Sequence, residues 1–231
     1  MATLVLIHTS SVFLTRETAI QDHLKELLPN TRIVNIMDDS LLPDVMEAGA
    51  VTAATTARMC GYVQAAETMG AAAVLSLCSS LGPAVDVARR MTAIPVIKID
   101  DAHTAEAVRL GRRIAVLATV ASTLGPTVAL LEEKAAEAGK KVKITPFLSE
   151  QGFQALMRGD RDAHDNAVSD AAATAARTND VLLLAQGSMA RLAPRIAELT
   201  RKPVLSSPRL AVEHVRSVLE GTEASGKRKA G

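Results

Sequence analysis

Cysteine is a scarce reactive residue of this chain, which holds two, Cys60 and Cys78, among 231 residues. Cys78 closes the apolar run Val74-Leu75-Ser76-Leu77 and is followed by Ser79, Ser80, Leu81, Gly82 and Pro83. A thiol therefore stands where a buried strand gives way to a polar turn and then a helix. In that place it can be a nucleophile, a proton carrier, a metal ligand or a piece of packing. The dipole and free N–H groups of a helix start favour the thiolate, and such a thiol can remove or deliver a proton. Cys60 lies at helical spacing from Thr56 and Gln64 within VTAATTARMCGYVQAAETMG and reads as packing.

Three further loops share this character: His8-Thr9-Ser10-Ser11, Thr119-Val120-Ala121-Ser122-Thr123 and Gln186-Gly187-Ser188. Each is short, carries hydroxyls or an amide, and precedes a helical segment. Hydroxyls and unpaired backbone N–H groups at a helix start can cradle a carboxylate or phosphate without Lys or Arg. Plain N-capping explains any one such loop equally well. His8 ends a strand beside Thr9 and Ser10, as either a second proton carrier opposite Cys78 or a capped or solvent-facing imidazole.

The elements that must position these loops alternate in type. Short β-branched or Leu-rich runs are expected as strands at Leu4–Ile7, 32–36, 73–77, 96–99, 114–117, 142–145, 181–185 and 204–205, with Ala-rich amphipathic segments between them. That alternation predicts an α/β fold with parallel sheets. The second four strands repeat the first. Ile114 follows Leu4 by 110 residues, Val142 follows Ile33 by 109, Leu182 follows Val74 by 108, and Pro203 follows Pro95 by 108. The chain reads as an internal duplication of two similar α/β halves. The first half covers 1–100, with a C-terminal helix at 208–220 packed on it; the second covers 101–207, and 221–231 is a flexible tail. Ligands of open parallel sheets bind at the carboxyl ends of strands, so the active site is expected between the halves. Cys78 lies 17 residues before Pro95 and Gln186 lies 17 before Pro203, which makes Gln186 the expected counterpart of Cys78.

Composition excludes several classes. Three Phe, one Tyr and no Trp leave few surfaces for stacking bases or sugars, and a net charge of +1 gives no field for nucleic acid or anionic membrane. Any ligand is expected to be small and polar. No apolar stretch approaches a membrane span, the start MATLVLIHTSS reads as a strand, and two cysteines without a CxxC pattern fit a reducing cytoplasm. No dinucleotide or P-loop glycine pattern occurs. Gly187-Ser188 lacks the GxSxG frame of a hydrolase elbow. Asp100, Asp101 and His103 form a weak cluster that either orients a group near Cys78 or binds a metal, but without further ligands at metal spacing no metal site is expected. His23, His164 and His214 are expected on helix surfaces.

LCSSLGPAVDVAR, VLATVAST, LLLAQGSMARLA and KPVLSSPRLAVEHV together resemble the aspartate/glutamate/hydantoin racemase superfamily over nearly the whole chain. The resemblance implies two similar halves, no cofactor, a small carboxylate substrate, a homo-oligomer, and a cysteine at the end of the third strand of each half. One cysteine takes the α-proton and the other supplies a proton to the opposite face. Cys78 matches the first cysteine. Ser79 and Ser80 match residues that hold the substrate carboxylate, as do Thr119, Ser122 and Thr123 in the second half; Thr9, Ser10, Ser11, Gly187 and Ser188 are further substrate-binding candidates. Gln186 occupies the place of the second cysteine, and glutamine does not exchange a proton near pH 7. The expected activity is isomerase-type proton transfer at an α-carbon, with His8 or water replacing the missing thiol. Alternatives are a single-cysteine decarboxylase and a carboxylate-binding protein without turnover.

Overall fold

The computed structural model describes residues 1–15 and 18–229, and side chains across that range except Ser188 and 222–229. Two compact units divide the chain: 1–99 with 208–231, and 100–207. Each contains one four-stranded, wholly parallel sheet.

In the first unit the strands are β1 (Thr3–His8), β2 (Arg32–Met37), β3 (Ala73–Ser76) and β4 (Val96–Lys98), in the order β2-β1-β3-β4. In the second they are β5 (Arg113–Ala118), β6 (Lys143–Leu148), β7 (Val181–Leu184) and β8 (Val204–Ser206), in the order β6-β5-β7-β8. Strands β1, β3, β5 and β7 are near-continuous apolar runs because helices cover both faces of each sheet. On one face of the first sheet, Leu4, Leu6, Leu75 and Leu77 pack with Ile20, Leu24, Val212 and Val215. On the other, Val5, Ile7 and Val74 pack with Val45, Met59, Cys60, Val63 and Val85. Cys60 is thus core, as its helical spacing suggested.

The last helix, Ser207–Lys229, follows β8 yet packs on the first sheet through Ala211, Val212, Val215 and Leu219. It runs beyond residue 220, where the sequence suggested a tail. The helix Asp101–Leu110 follows β4 and packs on the second sheet through Ala107 and Val108.

Two further sequence expectations change. The sixth strand was expected at 142–145, ending before Pro146, but β6 runs Lys143–Leu148 with Pro146 opposite Val116. It is an edge strand, and a proline there removes no ladder bond that the sheet needs. The register also makes Ile144, rather than Val142, the counterpart of Ile33: Leu4 pairs with Ile33 and Ile114 with Ile144. A slip of two residues keeps the same strand face, so the alternation could not reveal it. The second change is His164, expected on the surface but buried. It shares a helix stripe with Val168, Ala172 and Ala175 on Arg161–Ala176, and its Nδ1 meets Asp165 Oδ1 at 2.9 Å. His23 is half-buried and His214 exposed.

Candidate functional site

The two sheets place Cys78 and Gln186 at equivalent positions. Val5 pairs with Val74 and Ala115 with Leu182, so β3 and β7 are in the same register against their neighbours. One residue beyond the strand-end turn on each side stand Cys78, with φ −139° and ψ 116°, and Gln186, with φ −131° and ψ 130°. Each caps a short 3-10 turn, Ser79–Leu81 or Gly187–Leu192, that leads into a helix with proline in its first turn. Proline there is pre-shaped for the helix start and gives up only an N–H that would have no partner within the helix. The pairing inferred from spacing to Pro95 and Pro203 is therefore present in the backbone.

Cys78 is half-buried, and it packs on the sheet face that carries Val5, Ile7 and Val74. Ser79 and Ser80, both buried, follow it, and the Leu81 N–H donates to the Cys78 carbonyl at 3.3 Å. The thiol thus sits at the carboxyl end of a central strand, beside two hydroxyls.

His8 ends β1 in the same sheet as Cys78. Strand alternation sends its ring to the face of Leu4 and Leu6, away from the face on which Cys78 packs. Its ring is buried and meets Asn35 Oδ1 through Nε2 at 2.9 Å. Burial lowers the His8 pKa, and the Asn35 contact opposes this only in part. Tied to Asn35, His8 thus lies on the sheet face opposite the one on which Cys78 packs. Thr9 is buried, Ser10 half-buried and Ser11 exposed, and the Ser11 carbonyl accepts the Thr15 hydroxyl at 2.9 Å.

In the second unit Gln186 reaches the loop after β5. Its Oε1 accepts the Thr119 N–H at 2.6 Å, the Thr119 hydroxyl at 3.0 Å and the Val120 N–H at 3.1 Å. The sequence assigned this loop to a carboxylate; here its donors hold a side-chain amide of the same unit. The Thr123 hydroxyl donates to the Val120 carbonyl at 2.5 Å, which fixes the first turn of the helix Ala121–Glu137. Ser122 and Gly187 are half-buried, and the Ser188 side chain lies outside the described residues. The turn that carries Gln186 is braced from behind: Arg191 grips Asp165 with Nη1–Oδ2 at 2.5 Å and Nη2–Oδ1 at 2.6 Å. Burial pushes the Asp165 carboxyl up, but the hydrogen bonds from Arg191 and His164 outweigh it and leave its pKa lowered.

A cluster that sequence spacing did not reveal closes the end of β2. The Asp38 N–H donates to the His8 carbonyl at 3.0 Å, and its carboxylate accepts the Tyr62 hydroxyl at 2.5 Å, the Ser40 hydroxyl at 2.7 Å and Arg58 Nε at 3.0 Å. Arg58 also binds Asp44 at 2.5 Å. Burial raises the Asp38 pKa, but the bonds from Tyr62, Ser40 and Arg58 together hold it well below the usual carboxylate range. A depressed carboxylate stabilises the fold above its unfolded pKa, about 3.9, and that contribution is lost as pH falls below it. Asp38→Ala should cost on the order of 2 kcal/mol at pH 7 in urea unfolding, and the cost should shrink progressively as pH falls from about 4 towards the depressed folded value.

Asp100 and Asp101 are buried at the start of the helix Asp101–Leu110, and His103 is 0% exposed within it. Among the described residues no group of three His, Cys, Asp or Glu side chains is placed to hold a metal ion. No described helix is long and apolar enough to cross a membrane.

Comparison with known proteins follows the same lines. The fold resembles an allantoin racemase from Klebsiella pneumoniae, with 17% identity over 98% of this chain and 89% of that one, and a TM-score of 0.67. A glutamate racemase from Bacillus anthracis gives 14% identity over 96% and 82%, and a TM-score of 0.72. An arylmalonate decarboxylase gives 17% over 95% and 93%, and a TM-score of 0.62. At these identities the likeness is one of fold. No curated protein matches the sequence. The family model for Asp/Glu/hydantoin racemases matches residues 4–215, and the chain belongs to that family.

Proposed function

We propose that the protein is a cofactor-independent enzyme in which Cys78 moves a proton at the α-carbon of a small carboxylate. The observation that carries this reading is the equivalence of Cys78 and Gln186, one proton-exchanging group and one amide at matching turns of duplicated sheets. Ser79 and Ser80, next in the chain, supply hydroxyls and N–H groups suited to the carboxylate. In the isomerase form the Cys78 thiolate takes the α-proton, the electron pair moves into the carboxylate as an enediolate, and Gln186 stabilises an oxygen by hydrogen bonding. Water supplies a proton to the other face, and the hydroxide it leaves takes the proton from the Cys78 thiol, which restores the thiolate.

Gln186 also favours a second reading. With one thiol, a step that needs protonation on one face only is complete: a C–C bond to a carboxylate breaks, CO2 leaves, and the Cys78 S–H protonates the remaining enediolate carbon. A panel of small carboxylic acids incubated in D2O and followed by NMR separates the readings. Deuterium entering at Cα with the carboxylate retained supports proton transfer, and release of CO2 supports the lyase. Ligand-induced stabilisation without any turnover across the panel would overturn both in favour of a binding protein.

A further inference from the structure

Two backbone N–H groups and a hydroxyl converge where β5 passes into the helix Ala121–Glu137, the kind of donor set that holds one oxygen of an anion. The oxygen they hold belongs to the protein itself, Oε1 of Gln186. The two backbone partners can only donate, so the amide is fixed with its oxygen inward and its Nε2 outward. Cys78, at the equivalent position of the first unit, has a side chain two atoms shorter. Three features keep the glutamine in place. Its oxygen accepts three bonds, Arg191 and Asp165 brace its turn, and Thr119 is closely packed from the side: a Cβ on Gly152 would lie 3.0 Å from Thr119 Cγ2.

We infer that Gln186 is a specificity-determining residue whose amide oxygen permanently fills the donor cradle of Thr119 and Val120. The second unit then offers a substrate a neutral amide N–H2 where an open cradle would offer an anion site. It selects a neutral hydrogen-bond acceptor, a carbonyl or hydroxyl, in a position where an open cradle would select a carboxylate. This deepens the proposed function and rests on its placing of Gln186 among the substrate-facing groups.

Acetate, titrated into the full-length 15N-labelled protein, is a sufficient probe. In the unsubstituted protein the Thr119 and Val120 amide signals should not respond to it, whereas in Gln186→Ala the same two signals should shift saturably. Equal shifts in both proteins, or none in the variant, would overturn the inference. Gln186→Glu keeps the side-chain shape and gives an independent reading. Its carboxylate should take the three donors and titrate at least one pH unit below an ordinary glutamate, about 4.3, with Thr119 and Val120 again silent to acetate. A carboxyl titrating at or above that value would also overturn it. Neither readout uses turnover, so the Cys78 assignment can fail while this one stands, and the reverse.

Discussion

Cys78→Ala should lower turnover about a thousandfold or more, the scale of a lost general acid or base, while leaving the fold intact. The thiol is half-buried at the rim of a cluster that already contains Val74, Val85 and Met59, so removing one sulfur leaves the packing largely as it was. A stability change of about 1 kcal/mol or less is expected. Cys78→Ser is the sharper companion, since its hydroxyl keeps the shape and hydrogen bonding but loses a proton only at far higher pH. Both variants should be equally inactive and equally folded by thermal unfolding. Cys60→Ala, by contrast, changes a core residue and should affect stability more than turnover. Turnover by Cys78→Ala within a few-fold of the unsubstituted protein would remove the thiol from the chemistry.

The second large effect concerns acid. His103 is 0% exposed, and burial pushes its pKa down from 6.5 to about 3. An interaction with the Asp100 backbone opposes this and falls short of the cost of burial, while the Asp100 carboxylate, with Oδ1 3.7 Å from Nε2, lies beyond hydrogen-bond range. The folded state therefore keeps the ring neutral where the unfolded chain protonates it. A depressed folded pKa means that stability is full above the unfolded value and falls as pH drops from about 6.5 towards about 3, by up to about 1.4 kcal/mol per pH unit for this one proton. His8, also lowered, adds to the same slope. Urea midpoints at pH 7, 5.5 and 4.5 should fall steadily, well before the carboxylate range in which Asp38 acts. His103→Leu should flatten the slope by about one proton. An NMR titration of the folded protein should find the His103 ring unchanged from pH 7 to pH 5; a midpoint near 6.5 would contradict the assignment.

What was legible in the sequence follows from which forces are local. Central parallel strands are buried on both faces, so LVLI, AVLS, AVLA and VLLL announce themselves as runs, and the duplication follows from their spacing. Cys78 and Gln186 were paired by counting back from Pro95 and Pro203, because proline fixes the approach to β4 and β8 in both halves. Other features depend on side chains reaching across the fold. Gln186 meets Thr119 67 residues away, and Asp38 meets Arg58 and Tyr62 on a separate helix, 20 and 24 residues on. No local pattern encodes such contacts. His164 was misplaced for a related reason: in RDAHDNAVSDAAATAA the small residues make the buried and exposed stripes look alike. The carboxylate role of the Thr119 loop rests on its donors and on the family resemblance, while the Gln186 oxygen that meets those donors is visible only in three dimensions.

If Cys78 carries a proton between solvent and carbon, its thiol must be ionised for an appreciable part of its time near neutral pH. The direct measurement is the rate of Cys78 alkylation by iodoacetamide as a function of pH, with the modified peptide quantified by mass spectrometry and Cys78→Ala as the blank. The half-maximal rate should fall below the value for an ordinary thiol, about pH 8.5, and turnover should be lost in step with modification. An alkylation profile centred at or above that pH, or full modification with turnover undiminished, would contradict it.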